Sequence, residues 1–225
     1  MRFVVTAGPT REAIDPVRFV SNRSSGKMGY AIADAVIAAG HRVLLISGPS
    51  ALPPPAGAKF VSITSSDDLY RAVHRAVPKC DVLVMCAAVS DYKPAKTNTR
   101  KIPKRKTPFS IDLVPTRDIL AALSQKTRRY FVVGFAAETD DLEKKARKKL
   151  TTKACDMIVA NDVSAKNSGM EVDENEVTIF FRNGDSTKIS RAPKKIIARE
   201  LVKIILKMSE KRLTKKSRRL LTQVK

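Results

Sequence analysis

Short, continuously apolar runs recur along this chain and alternate with polar loops and helix-like stretches. Such runs are typical of parallel β-strands that are covered on both faces. An alanine-rich stretch at residues 28–39, ended by Gly40, predicts a helix between the first two runs, because glycine is a common helix stop. The predicted strands lie at residues 3–5, 43–46, 60–63, 82–88, 130–134 and 157–160.

Two amphipathic stretches between these strands predict further helices. Ser66 is expected to cap a helix that reaches about Val77, helped by two acidic residues in its first turn. Thr116 is expected to cap a short helix that ends near Ser124. Both assignments rest on a side-chain oxygen that precedes the apolar positions of each helix.

The last third of the chain combines charged helices with a hairpin signal. Residues 140–153 predict a strongly charged helix, and Pro193 is expected to open a helix that runs to about residue 209. Between them, two β-rich segments at residues 177–181 and 187–189 flank Asn183-Gly184, which is a strong hairpin-turn signal.

This alternation of strands and helices predicts an α/β fold: a three-layer αβα, Rossmann-like, mostly parallel sheet with a late antiparallel hairpin. In such sheets ligands bind beyond the carboxyl ends of the strands. We therefore expect the polar loops that follow Ala7, Ala88, Ala136 and Ala160 to converge on one site.

The segment at residues 5–29 carries the strongest functional signal, because a long polar loop connects a strand to a helix entrance. Gly26 and Gly29 do not complete a Gly-x-Gly-x-x-Gly motif, and Lys27 follows no Walker-type run. The loop therefore matches neither motif and instead carries its own set of polar side chains: Thr6, Arg11, Asp15, Arg18, Ser21, Asn22, Ser24, Ser25 and Lys27.

Composition narrows the protein class. At 225 residues with 43% apolar positions the chain fits one globular domain, without a signal peptide or a membrane span. Its three cysteines lack Cys-x-x-Cys spacing, so we expect neither a disulfide framework nor a structural zinc site. Together these features predict a cytoplasmic protein.

A net charge of +21 raises the alternative of nucleic-acid binding. The basic residues crowd residues 101–106, 144–153 and 207–225, and the tail has no interleaved aromatics for base stacking. Nucleic-acid binding is therefore the less favoured reading. Deleting the residues after Ser209 would distinguish this function from an enzymatic one. Salt-sensitive nucleic-acid binding would then be lost, whereas enzyme activity would persist.

The candidate chemistry lacks an activated nucleophile. His41 and His74 lie away from the polar loops, Cys86 ends a buried strand, and His/Cys metal-ligand spacing is absent. Lysines, amides and hydroxyls near strand ends instead suit phosphoryl or nucleotidyl transfer, in which the substrate supplies the nucleophile. A non-catalytic nucleotide-binding or nicotinamide-dependent Rossmann module remains the alternative, and micromolar NADPH binding would support it.

A series of motifs resembles phosphopantothenoylcysteine synthetase, also called phosphopantothenate–cysteine ligase, of the bacterial CTP-dependent type. The matches follow the family's order over about residues 1–206. They lie at residues 6–12, 15–18, 21–29, 86–92, 101–104, 118–120, 134–139 and 160–164.

The resemblance implies that 4′-phosphopantothenate and L-cysteine are joined in coenzyme A biosynthesis. The pantothenate carboxylate attacks the α-phosphate of CTP, which gives an acyl-cytidylate and pyrophosphate, and the cysteine amine then displaces CMP. The family needs a divalent cation, Mg²⁺ or Mn²⁺, whose ligands in this chain stay unassigned. The fused flavin-dependent decarboxylase of many bacterial members is not expected in this sequence, which would be either a stand-alone enzyme or an excised domain, so no flavin is expected.

The resemblance also implies residue roles. Asn22 would handle the acyl group and the second half-reaction, with Arg18 and the Ala88 backbone beside it, and Lys101 would act on the triphosphate. Other substrate contacts would come from Gly8, Ser24, Ser25 and Lys27. Nucleotide contacts would come from Cys86, Ala87, Asp91, Lys101, Arg117, Asp118, Ile119, Leu120, Phe135, Lys149 and Lys153.

The sequence departs from the family pattern at Pro103, which interrupts Lys-Ile-Lys-Lys, and at Arg117, where a proline is common. The synthetase domain is expected to span residues 1–209, with a flexible basic tail at residues 210–225. A homodimer is expected from the resemblance, and the hairpin near residues 177–189 is a candidate contributor to its interface.

Overall fold

The structure is a computed structural model that describes residues 1–104, 106–125, 128–162 and 172–222, with side chains to Lys211 in the last helix. The ends of two predicted segments, Val163-Ser164 of the last motif and residues 223–225 of the tail, lie outside this part of the chain. One sheet of eight strands forms its centre.

The sheet contains β1 (Arg2–Ala7), β4 (Arg42–Ser47), β5 (Lys59–Ser62), β6 (Val82–Met85), β9 (Phe131–Glu138), β10 (Met157–Asp162), β11 (Glu174–Phe181) and β12 (Ser186–Pro193). Their order is β12-β11-β10-β9-β6-β1-β4-β5. The six strands from β10 to β5 pair in parallel, and β11 and β12 pair antiparallel. The predicted mostly parallel sheet with a late hairpin is confirmed.

Helices cover both faces of this sheet, which confirms the three-layer arrangement. They are α1 (Lys27–Ala38), α2 (Ser66–Ala76), α3 (Ile119–Ser124), α4 (Leu142–Thr152) and α5 (Lys194–Thr222). One core contains Phe3 and Val5 with residues of α1 and α5, and the other contains Val4 with residues of α2, α3 and α4. Successive residues of β1 thus enter opposite layers, as the two-residue period of a strand requires.

Two predicted helix caps are wrong. Ser65, not Ser66, caps α2, because its hydroxyl accepts a hydrogen bond from the Asp68 amide while the Asp68 carboxylate accepts one from the Ser65 amide. Asp118, not Thr116, caps α3 by accepting a hydrogen bond from the Ala121 amide at 2.9 Å. The Thr116 hydroxyl donates to the Ser90 carbonyl instead.

The last helix also differs from its prediction. Pro193 ends β12, and α5 begins at Lys194. Its backbone continues as helix to Thr222, past residue 209. In the described part of the chain, no helix combines the length and apolar character that a membrane span requires.

Four short strands were not predicted. β2 (Arg11–Ala13) pairs with β3 (Phe19–Ser21), and β7 (Tyr92–Pro94) pairs with β8 (Leu113–Pro115), both antiparallel. A short 3₁₀ turn, Val77–Lys79, follows α2. The two small sheets lie inside loops that the sequence marked only as polar.

Candidate active site at the carboxyl edge of the sheet

The polar loops converge on one cavity of about 650 Å³ at the carboxyl edge of the sheet. It lies where the chain order reverses between β1 and β6, the position at which open α/β sheets bind ligands. Its lining includes residues of the loops that follow β1 and β6 and residues in the carboxyl-terminal halves of β9 and β10. Most predicted site residues lie in it: Asn22, Ser24, Lys27, Cys86, Ala87, Ala88, Asp91, Arg117, Asp118, Ile119, Leu120, Phe135, Lys149 and Lys153.

The entrance to α1 forms one wall of the cavity. Gly26 precedes the helix in the left-handed region, with φ of 81°, which glycine adopts without steric cost. Gly29 lies against β1, where an added Cβ would come within 2.6 Å of the Ala7 Cβ atom. This close approach brings the first amides of α1 to the cavity, and such amides favour anionic groups.

Asn22 and the segment after β6 form the adjacent wall. The Asn22 side-chain amide donates a hydrogen bond to the Val89 carbonyl at 3.0 Å. The Thr6 hydroxyl accepts hydrogen bonds from the Cys86 and Ala87 amides, each at 3.1 Å. The Ala88 amide and carbonyl pair with Gly8 and Thr10, respectively. Asn22 is therefore held beside the Ala87-Ala88 turn, while the Ala88 backbone serves to join two loops.

The thiols are not poised for nucleophilic attack. Cys86 lines the cavity, but burial raises the pKa of its thiol to about 12. Burial likewise raises the pKa values of Cys80 and Cys155 to about 12. Neither histidine reaches the cavity: His74 stacks on Tyr70, and His41 contacts the amino terminus. The described residues thus offer positioning groups and cations rather than a covalent catalyst.

Two ion pairs lie at the end of the cavity formed by α3 and α4. The Lys149 ammonium lies 2.7 Å from the Glu138 carboxylate, which is 11% exposed. The Lys153 ammonium contacts the Asp118 carboxylate, and Phe135 contributes an aromatic face nearby. Glu138 lies at the end of β9 inside the motif at residues 134–139, but it was assigned no role, because its pairing with Lys149 depends on the fold.

Arg117, the arginine that departs from the family pattern, lines the cavity, but its side chain also contacts two residues outside the described lining. The Arg117 guanidinium lies 5.2 Å from the centre of the Tyr70 ring, and its Nε atom lies 3.9 Å from Asp67. Of the residues expected at the site, four are absent from the described lining: Gly8, Arg18, Ser25 and Lys101. Gly8 and Ser25 use their carbonyl groups to bind Ala88 and Ser50, which stabilises the loops behind the lining.

Arg18 and the segment that carries Lys101 are joined through Asp15. The enclosed Asp15 carboxylate accepts hydrogen bonds from the Arg18 side chain and from the amides of Val17, Arg18 and Ile102. Arg18 also donates to the Ile102 carbonyl at 2.7 Å. The hydrogen bond from Arg18 is the main cause that holds the pKa of Asp15 well below its usual range. Asp15 therefore anchors the exposed Lys101 beside the long loop.

Asn175 and Lys194 line the cavity without having been predicted at the site, whereas Asn161 belongs to the segment after Ala160 that was expected there. The Asn161 amide donates to the Asn175 side-chain oxygen at 3.0 Å, which joins β10 to β11. Lys194, the first residue of α5, is only 6% exposed. The sequence placed it at the start of an amphipathic helix and gave no signal for a ligand role.

Comparison with known protein families identifies the family to which this chain is similar. The model of the DNA/pantothenate metabolism flavoprotein C-terminal domain matches residues 1–208. The chain belongs to this family. The match spans the whole cavity and confirms the resemblance that the motifs indicated.

Relatives of this family include two bacterial proteins described as coenzyme A biosynthesis bifunctional protein CoaBC. The Bacillus subtilis protein is 45% identical over 208 residues, covering 92% of this chain and 51% of the relative. The Vibrio vulnificus (strain CMCP6) protein is 42% identical over 205 residues, covering 90% and 51%. The chain thus spans about half the length of these curated relatives.

Solved structures show the same fold. The C-terminal domain of a coenzyme A biosynthesis bifunctional protein CoaBC superposes with a TM-score of 0.80 at 41% identity, covering 93% of this chain and 96% of that one. The DNA/pantothenate metabolism flavoprotein from Streptococcus pneumoniae gives 0.78 at 27% identity, with coverages of 92% and 99%. The fold of these domains is therefore present over more than nine-tenths of the chain.

Proposed function

We propose that this chain joins 4′-phosphopantothenate to L-cysteine with CTP and releases pyrophosphate and then CMP. The observation that carries the proposal is the cavity itself, which gathers Asn22, cationic side chains and the α1 entrance without an activated nucleophile. A ligase whose substrate carboxylate attacks the nucleotide needs only positioning and charge stabilisation from the protein. Family membership supports the same reaction.

The cavity has two ends that suit the two substrates. Asn22 beside the Ala87-Ala88 turn is an amide donor for the acyl group, which gains negative charge on oxygen when the cysteine amine attacks. Lys149 and Lys153, with Phe135, suit the nucleotide at the other end. The long loop would therefore serve the acyl half of the reaction and the α3–α4 end the nucleotide half.

A divalent cation fits this arrangement. Among the described residues no cluster of three or more potential metal ligands is present, so these residues alone do not provide a complete coordination shell. The Asp91 carboxylate lines the cavity and could hold Mg²⁺ or Mn²⁺ together with the nucleotide phosphates and water. When bound, the cation would offset the charge of the triphosphate.

The proposed reaction predicts a defined stoichiometry. Purified protein with phosphopantothenate, CTP and cysteine should release one pyrophosphate and one CMP per product. Without cysteine, pyrophosphate release should stop at about one per active site if the acyl-cytidylate stays bound. Chromatography of the nucleotides with CTP and ATP in parallel arms measures both the reaction and the nucleotide preference; no turnover with either nucleotide contradicts the proposal.

We propose that the chain forms a homodimer through the two small sheets rather than the late hairpin. Val17, Phe19, Tyr92 and Leu113 on these sheets and their loop are 45–60% exposed, and a cluster of exposed apolar side chains marks an interaction surface. The outer strand of the hairpin, β12, instead presents mostly exposed polar residues. A second copy of the chain offers a matching apolar face by symmetry.

Replacing Phe19 and Leu113 together by serine should convert a dimer into a monomer in analytical ultracentrifugation. Ile196→Ser is the matched control, because Ile196 is 44% exposed but lies on α5, away from the small sheets. Its sedimentation should equal that of the parent protein. A parent protein that sediments as a monomer at micromolar concentration would contradict the dimer.

A further inference from the structure

The first residues of α1 and α5 bring two lysines to one end of the cavity. Lys27 begins α1, Lys194 begins α5, and both side chains line the cavity. The two helices pack against each other on the same face of the sheet. Two ammonium groups are therefore held near each other by the fold rather than by chance surface placement.

Burial makes Lys194 unusual among the lysines whose side chains the structure describes. It is 6% exposed, and desolvation together with the charge of Lys27 lowers the pKa of its ammonium group. A buried cation beside a second cation is costly unless an anion lies nearby. Negative charge at this end of the cavity is therefore electrostatically favourable.

Asp173 supplies part of that charge from an exposed position. Its carboxylate lies 2.5 Å from the Lys27 ammonium, while its side chain is 85% exposed. Its backbone carbonyl accepts a hydrogen bond from the Lys194 amide at 2.9 Å. An ion pair with so exposed a carboxylate contributes little stability, so a competing anion can replace it at low cost.

We propose that Lys27 and Lys194 clamp a phosphoryl group in the cavity, with Asp173 as the exchangeable carboxylate that pairs with Lys27 until the ligand arrives. The amides at the start of α1 add further donors to the same group. The clamp proposal rests on the proposed function only for the identity of its two candidate ligands, which are the phosphorylated substrates of that reaction. The phosphoryl group belongs to the triphosphate of the nucleotide or to the phosphate of phosphopantothenate.

Binding measurements on the intact chain test the clamp independently of turnover. Isothermal titration with pyrophosphate, CTP, CMP, 4′-phosphopantothenate and unphosphorylated pantothenate compares the parent with Lys194→Gln. A lost charge-assisted contact should weaken the clamped ligand about 10- to 100-fold. Loss for CTP and pyrophosphate, but not CMP, assigns the clamp to the triphosphate; loss for phosphopantothenate, but not pantothenate, assigns it to that substrate.

Two further variants separate a clamp from a structural role. Asp173→Asn should strengthen the clamped ligand about two- to fivefold, because it removes the competing carboxylate. Lys195→Gln, the adjacent exposed lysine of α5, should leave every affinity unchanged. Unchanged affinities in Lys194→Gln, or an equal loss for all five ligands, would overturn the proposal; absence of turnover in the parent would refute only the ligase reaction.

Discussion

Replacing Lys101 by glutamine is expected to slow pyrophosphate release by about 10²- to 10³-fold, because one lost charge-stabilising group at a transition state has effects of this size. Asn22→Asp should leave pyrophosphate release near the parent rate but slow transfer to cysteine. Single-turnover measurement of pyrophosphate without cysteine, followed by CMP release after cysteine is added, separates the two steps. The two variants thus test a division of labour between the nucleotide and acyl halves.

Lys96→Gln is the control for the lost charge, since Lys96 is an exposed lysine of the same connecting segment to which the resemblance assigns no role. It should retain both half-reactions. Equal loss of both steps in Lys101→Gln and Asn22→Asp would refute the division of labour, since each residue would then act on the whole site.

Replacing Asp15 by asparagine is expected to lower the melting temperature by about 5–10 °C. The enclosed Asp15 carboxylate accepts hydrogen bonds from three backbone amides and the Arg18 side chain, and an asparagine places an N–H group among these donors. Asp140→Asn is the control, because Asp140 is likewise paired with a cationic side chain, that of Lys145, but its own side chain is 65% exposed. That variant should melt within about 1–2 °C of the parent.

The pH dependence of Asp15 has a defined sign. The pKa of this carboxyl is lowered in the folded chain, so it contributes stability above its unfolded pKa of about 3.9, and that stability is lost as pH falls further. Asp15→Asn should therefore differ most from the parent between pH 5 and 8 and converge on it in acid. A constant difference in melting temperature down to pH 2–3 would contradict the role assigned to the charge.

The main architecture was predictable because its signals are local. Continuous apolar runs predicted the buried strands, Gly40 predicted the end of α1, and Asn183-Gly184 predicted the hairpin. The four short strands were missed because three residues give no measurable periodicity. In addition, Tyr92 pairs with Pro115 across more than twenty residues, which no local pattern reports.

The cavity was predictable in outline and not in its charge pairing. Parallel strands align their carboxyl ends, so the loops after Ala7 and Ala88 had to meet once the sheet was predicted. The pairing of Lys27 with Asp173 joins residues 146 positions apart, and only the folded chain brings them together. Lys194 was overlooked for the same reason, because its burial depends on how α5 packs against α1.

The high pKa values of the three thiols affect how readily the protein exchanges with disulfides of its proposed thiol substrate. The oxidised form of cysteine is the disulfide cystine, and thiolates exchange with such disulfides where they are present. With pKa values of about 12, only about one in 10⁵ of each protein thiol is ionised at neutral pH. The chain therefore resists forming mixed disulfides with the amino acid that it is proposed to consume, even at the Cys86 wall of the cavity.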